Sequence, residues 1–140
     1  MARRSPLLLL PVLLPMLLVA CEAPPRADTQ GQALRREVDA LTKVYADCVA
    51  ETAATRPLDT RPAGSQAMAV MKDCKPARTT LKAKVAVFHK HGHEQESDAM
   101  ADVVAEASVR SIEAQLRESA VVAIIRRQNP NGSQISSETK

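Results

Sequence analysis

The chain has no tryptophan, and its aromatics are a single tyrosine, Tyr45, and a single phenylalanine, Phe88. So few rings leave no stacking platform for bases. It also lacks an excess of charge. The formal net charge is +3, and without Arg3 and Arg4 there are 17 basic side chains against 16 acidic ones. A surface that binds phosphates needs a clear basic surplus, so nucleic acid is not expected as a partner. Glycine is scarce, four in 140 residues, and none builds a phosphate-cradling loop. There is no C-x-x-C and no nucleophile elbow. His93-Glu94 opens like a zinc-protease motif, but Ser97 stands where the second histidine belongs. No catalytic set is visible, and the expectation is a protein that is not an enzyme. Large apolar side chains are sparse between Gln32 and Arg127. The core must be modest, and a domain of this size gains from a covalent staple.

What the chain does have begins at its start. Arg3 and Arg4 precede Pro6 to Ala20, which is apolar throughout and rich in leucine. That is the layout of a signal peptide. A membrane span is the competing reading, but about 15 apolar residues fall short of the ~20 that cross a bilayer. Pro11 and Pro15 also interrupt the run. It ends in Leu18-Val19-Ala20-Cys21, which resembles the lipobox of bacterial lipoproteins. The resemblance covers residues 1–21 only. It implies that a diacylglyceryl transferase alkylates the Cys21 thiol, that signal peptidase II cuts just before it, and that acyl chains such as palmitate then hold the protein on a membrane. Glu22 follows the cysteine, where enterobacterial lipoproteins kept at the inner membrane carry aspartate. By the same resemblance, the expected location is the outer membrane, facing the periplasm. An ordinary secretory signal with a chance cysteine is the alternative.

The chain then divides by composition. Residues 21–31 contain Pro24, Pro25, Asp28 and Gly31 and no apolar run, so they read as a lipidated cysteine and a flexible tether. Residues 32–127 read as a helical domain. Residues 128–140, with Asn129-Pro130-Asn131-Gly132 and several serines, read as a polar tail.

Three helical segments are expected in the domain. In the first, from about Gln32 to Thr55, the residues Leu34, Val38, Leu41, Tyr45, Cys48 and Thr52 alternate by fours and threes and share one face. Arg56-Pro57 closes it. The second starts between Thr60 and Ser65, either of which suits a cap, and runs to about Lys90. It carries Ala67, Met71, Cys74, Leu81, Val85 and Phe88 on one face, and Gly92 is a candidate C-terminal cap. Pro76 inside it must kink the helix or start a new one. The third, from about Glu96 to Arg127, has acidic residues at its start and Arg126 and Arg127 at its end, as the helix dipole favours. Its stripe is Ala105, Val109, Ile112, Leu116, Ala120 and Ala123. Met100, Val103, Val104, Val121, Val122, Ile124 and Ile125 widen the apolar face at both ends. Together these elements predict an all-α fold, a small antiparallel three-helix bundle, with Met68, Met71 and Met100 as core filler.

Two constellations stand out. With Cys21 lipidated, Cys48 and Cys74 remain as an even pair on two apolar helix faces, and an oxidising envelope makes them an expected disulfide. His89, His91 and His93 alternate and are the chain's only histidines. In an extended segment, alternate side chains point the same way, so the three imidazoles could gather on Zn²⁺ or Cu²⁺. In a continuous helix the same spacing scatters them, and the segment is then a polar turn. Two functions follow: a lipid-anchored accessory or docking module for another envelope protein, and an envelope metal-binding lipoprotein.

Overall fold

The computed structural model describes residues 28–130. The expected signal peptide, Cys21, the tether up to Ala27 and the tail from Asn131 onward lie outside the described residues. Within them the chain is all-helical, in four helices: α1 (Thr29–Thr55), α2 (Ala63–Asp73), α3 (Lys75–Gly92) and α4 (Asp98–Gln128).

α1 starts three residues before Gln32, because Asp28 caps it. The Asp28 carboxylate accepts from the Gly31 amide at 2.9 Å, supplying a partner for one of the free N–H groups of the first turn. Thr29, Gln30 and Gly31 therefore belong to the helix and not to a tether. At the other end Arg56, held out of helical geometry by Pro57, donates its amide to the Thr52 carbonyl at 2.9 Å.

The expected second helix is two helices, which makes the count four and not three. Proline has no amide hydrogen, and its ring collides with the carbonyl four residues back. A helix continued through Pro76 would drive that ring into Lys72. The chain breaks at Cys74 instead, and Pro76 falls in the first turn of α3, where a missing N–H costs nothing. Neither Thr60 nor Ser65 caps α2; Pro62 occupies that position without a side-chain bond. α3 runs through Gly92, and His93 takes the C-cap position. Ser97 caps α4, its hydroxyl accepting from the Met100 amide at 3.2 Å.

Cross-links between helices fix their directions. Lys84 pairs with Glu37 at 2.6 Å and His91 with Asp28 at 2.9 Å, so α3 runs against α1. Lys82 pairs with Asp102 at 2.9 Å and Arg78 with Glu113 at 3.0 Å, so it also runs against α4. The short α2 packs chiefly on α4. One end of the molecule therefore holds the start of α1, the end of α3 and the start of α4. The opposite end holds the close of α1 and of α4.

The core is built on Tyr45, Val49, Val70, Leu81, Val109 and Ile124, with Ala67, Ala105 and Ala120 where helices approach closely. The sulfurs of Cys48 and Cys74 are bonded, with α-carbons 6.0 Å apart, a separation suited to a disulfide. This staple ties the last third of α1 to the α2–α3 break. The apolar face is narrower than expected. Met71 is buried, but Met68 and Met100 are exposed and are not core filler, and Val103, Val122 and Ile125 also face outward. α4 is covered along one side only, by α1, α2 and α3.

One polar side chain is buried in this core. The Gln66 amide donates to the carbonyls of Asp59 (3.1 Å) and Arg61 (2.7 Å). It pins the α1–α2 loop, which has no regular structure of its own. The Tyr45 hydroxyl is buried without a hydrogen-bond partner among the described residues.

Candidate functional site

The three histidines lie at the end where α1 and α4 begin. Helical geometry carried through Gly92 turns each residue about 100° from the last, so His89 and His91 point about 200° apart. The three rings therefore do not converge. His93, just past the helix and four residues from His89, folds back onto it, with ring centroids 4.4 Å apart and planes 24° from parallel. Glu96 serves both rings: one carboxylate oxygen is 2.8 Å from His89 Nε2, and the other is 3.7 Å from His93 Nδ1. The His89 hydrogen bond, followed by the nearby positive groups, holds the Glu96 carboxyl below its usual range. Lys90 reaches the same loop. Its amine donates to the Glu96 carbonyl and pairs with Asp98 at 3.2 Å.

His91 faces the other way. Its Nε2 meets the Asp28 carboxylate at 2.9 Å, so one carboxylate caps α1 and ties it to the end of α3. The Gly31 amide first, and His91 second, hold the Asp28 carboxyl below its ordinary value. Gly31 makes the tie possible. A β-carbon there would collide with the Asp28 carboxylate and press on the His91 ring at 3.3 Å. Among the described residues, no three His, Cys, Asp or Glu side chains are gathered as they stand to hold a metal ion.

Beside this cluster α1, α3 and α4 enclose a groove of about 640 Å³, within the range of small-molecule sites. Val38, Val85, Phe88, Val104 and Ile112 form its walls. Asp28, Arg35 and the histidines stand at its rim. Four of the five wall residues are only partly buried, so apolar surface lies open inside it. Among the described residues Arg35 makes no ion pair. Sequence periodicity placed Val38, Phe88 and Ile112 on apolar faces, but the groove depends on three helices meeting around a gap. Asp28 and Gly31 look like linker residues in the sequence and become site residues only once His91 is seen beside them.

A second polar group joins α3 to α4 farther along. Arg78 donates to Glu106 at 2.7 Å and to Glu113 at 3.0 Å. Arg110 donates to Glu106 at 3.1 Å. Arg78 first, then Arg110, pull the Glu106 carboxyl down to about 2. Every member has an opposite charge in contact, so the group reads as a strut between helices. Compared with protein-family models, curated proteins and solved structures, the chain matches none.

Proposed function

We propose that this protein is a bacterial envelope lipoprotein, anchored by lipid on Cys21 and acting without catalysis as an accessory or docking module. The observation that carries the reading is Leu18-Val19-Ala20-Cys21 at the end of an apolar run behind Arg3 and Arg4. Asp28 lies seven positions after Cys21, a reach of at most roughly 25 Å. The groove end of the domain, where Asp28 lies, would therefore stay close to the membrane surface. No described helix is long and apolar enough to cross a membrane. Asp28 caps α1 and holds His91, and His89 is bonded to Glu96.

Palmitate labelling in a bacterial host, with mass measurement of the mature N-terminus, tests the anchor. The expected product begins at Cys21 and carries the lipid mass, and Cys21→Ala leaves the precursor uncut. A mature chain that starts elsewhere without lipid overturns the reading. Envelope fractionation then tests the proposed outer-membrane location.

A second reading, binding of Zn²⁺ or Cu²⁺, has one observation in its favour: His89 and His93 stack and share Glu96. Its donors are these two imidazoles and the Glu96 carboxylate, with both rings turned so that nitrogens rather than faces meet. His91 is not among them. Calorimetric titration of both metals decides it. Heat lost in His89→Ala/His93→Ala and kept in His91→Ala supports this set. An isotherm unchanged in the double variant removes it.

A further inference from the structure

We infer that the groove between α1, α3 and α4 is a binding site for a single-chain anionic amphiphile, a long-chain carboxylate whose tail lies along the apolar walls and whose head meets Arg35 at the rim. The inference rests on the groove itself and draws on the anchored reading only for the nearby supply of such molecules.

Two features select this chemistry. The first is that the lining is of two kinds. Val38, Val85, Phe88, Val104 and Ile112 supply apolar walls, while its charged side chains, Asp28 and Arg35, are exposed to solvent. A wholly apolar ligand would leave that charged rim unused, and a wholly polar one would leave the walls unpaired with anything but water. The second is the sign of the free charge. The Asp28 carboxylate is occupied by the Gly31 amide and by His91. Arg35 has no carboxylate partner among the described residues, and its planar fork suits a carboxylate in a bidentate pair.

An amphipathic helix from a protein partner is a poorer fit. A helix measures about 10–12 Å across with its side chains. Admitting one would require α1 and α4 to part, although both contribute to one core cluster through Tyr45, Val49, Val109 and Ile124. A single hydrocarbon chain asks for no such opening. The mouth is also the face nearest Cys21 along the chain.

The test uses the chain from residue 21 onward carrying Cys21→Ser, which keeps every described residue and attaches no lipid. Hexadecanoate is titrated below its micellar concentration, with binding followed by calorimetry. Saturable one-to-one binding is expected, and hexadecanol, lacking the head charge, should bind more weakly. Ser108→Trp fills the groove from an exposed wall position and should weaken binding by about ten-fold or more, a loss well resolved by calorimetry. Arg35→Glu should weaken it several-fold and abolish the preference over hexadecanol. If Ser108→Trp fails to fold, Gln32→Trp at the rim replaces it. No saturable binding overturns the inference, as does full affinity in a folded groove-filling variant. Unchanged affinity in Arg35→Glu overturns the head-group assignment. Failure here leaves palmitate labelling of Cys21 unaffected, and failure of that labelling leaves this measurement intact.

Discussion

Arg127, at the last turn of α4, donates its guanidinium to the Ala53 carbonyl at 2.7 Å, and the same nitrogen reaches the Arg56 carbonyl at 3.0 Å. The final carbonyls of α1 have no partner within their own helix, and a positive charge there also meets the negative end of the helix dipole. A charge that by sequence suits the close of its own helix is spent on the close of another. Arg127→Met keeps much of the apolar stem and removes the donor. It should cost about 1.5–3 kcal/mol, the range for hydrogen bonds to charged groups, read as a lower urea midpoint. Arg126→Met, exposed on the neighbouring position, should change little.

Tyr45 offers the opposite case. Its hydroxyl is fully enclosed and has no partner among the described residues, and burial, aided by the nearby Glu113 carboxylate, pushes the phenol up to about 12. Removing an unsatisfied buried hydroxyl should not destabilise. Tyr45→Phe is expected to be equal to wild type or more stable by up to about 1 kcal/mol. Tyr45→Ala, which empties the site, should lose about 3–5 kcal/mol, as large aromatic deletions do. Paired urea curves give both values. A marked loss in Tyr45→Phe would mean that the hydroxyl has a partner in solution.

The Glu106 carboxyl gives the fold a pH dependence of known sign. Its folded value, about 2, lies below the ordinary 4.5 because Arg78 and Arg110 favour the charged form. A depressed carboxyl stabilises the native state above its unfolded value, and that contribution drains away as pH falls from about 4.5 towards 2. Glu106→Gln should therefore lower the melting temperature at neutral pH and flatten its decline across this window. Parallel melts of wild type and variant between neutral pH and the acid limit check it. Equal slopes would remove Glu106 as a cause.

Reduction should weaken the domain. The Cys48–Cys74 bond spans 26 residues, and closing a loop of that length is worth about 3.5 kcal/mol in the chain-entropy model. Denaturation of wild type with and without a thiol reductant, beside Cys48→Ala/Cys74→Ala, measures the difference. The double variant should match the reduced protein rather than the oxidised one.

The sequence made local features legible and left the meetings between distant residues hidden. The stripe from Leu34 to Thr52 is on the covered side of α1, because spacing by threes and fours fixes a helix face whatever packs on it. The break at Pro76 was legible as a conflict between a long apolar pattern and a residue without an amide. Its outcome, a second helix start rather than a kink, placed Pro76 in the first turn of α3. The width of the covered face was not legible. Met100 and Val103 lie beside the α4 stripe in sequence terms, but no neighbouring helix reaches them. The alternating histidines suggested one shared direction, and helical geometry carried through Gly92 separated them. The partnership of Asp28 with His91 joins residues 63 apart, which no local pattern could announce. Gly31 gains its importance only from that meeting.

The staple also has a mechanical meaning. A chain drawn from its N-terminus enters the domain at Asp28, where the link to His91 takes the first load. If that link yields, α1 can unravel towards Cys48, but there the covalent bond passes tension directly to Cys74. The intervening segment, a separation of 26 positions and roughly 90 Å when extended, never carries the pull. It includes α2 and the loop pinned by Gln66. The covalent backbone thus takes a short cut past its least regular part, and tension entering at Asp28 bypasses Val70 and the loop pinned by Gln66.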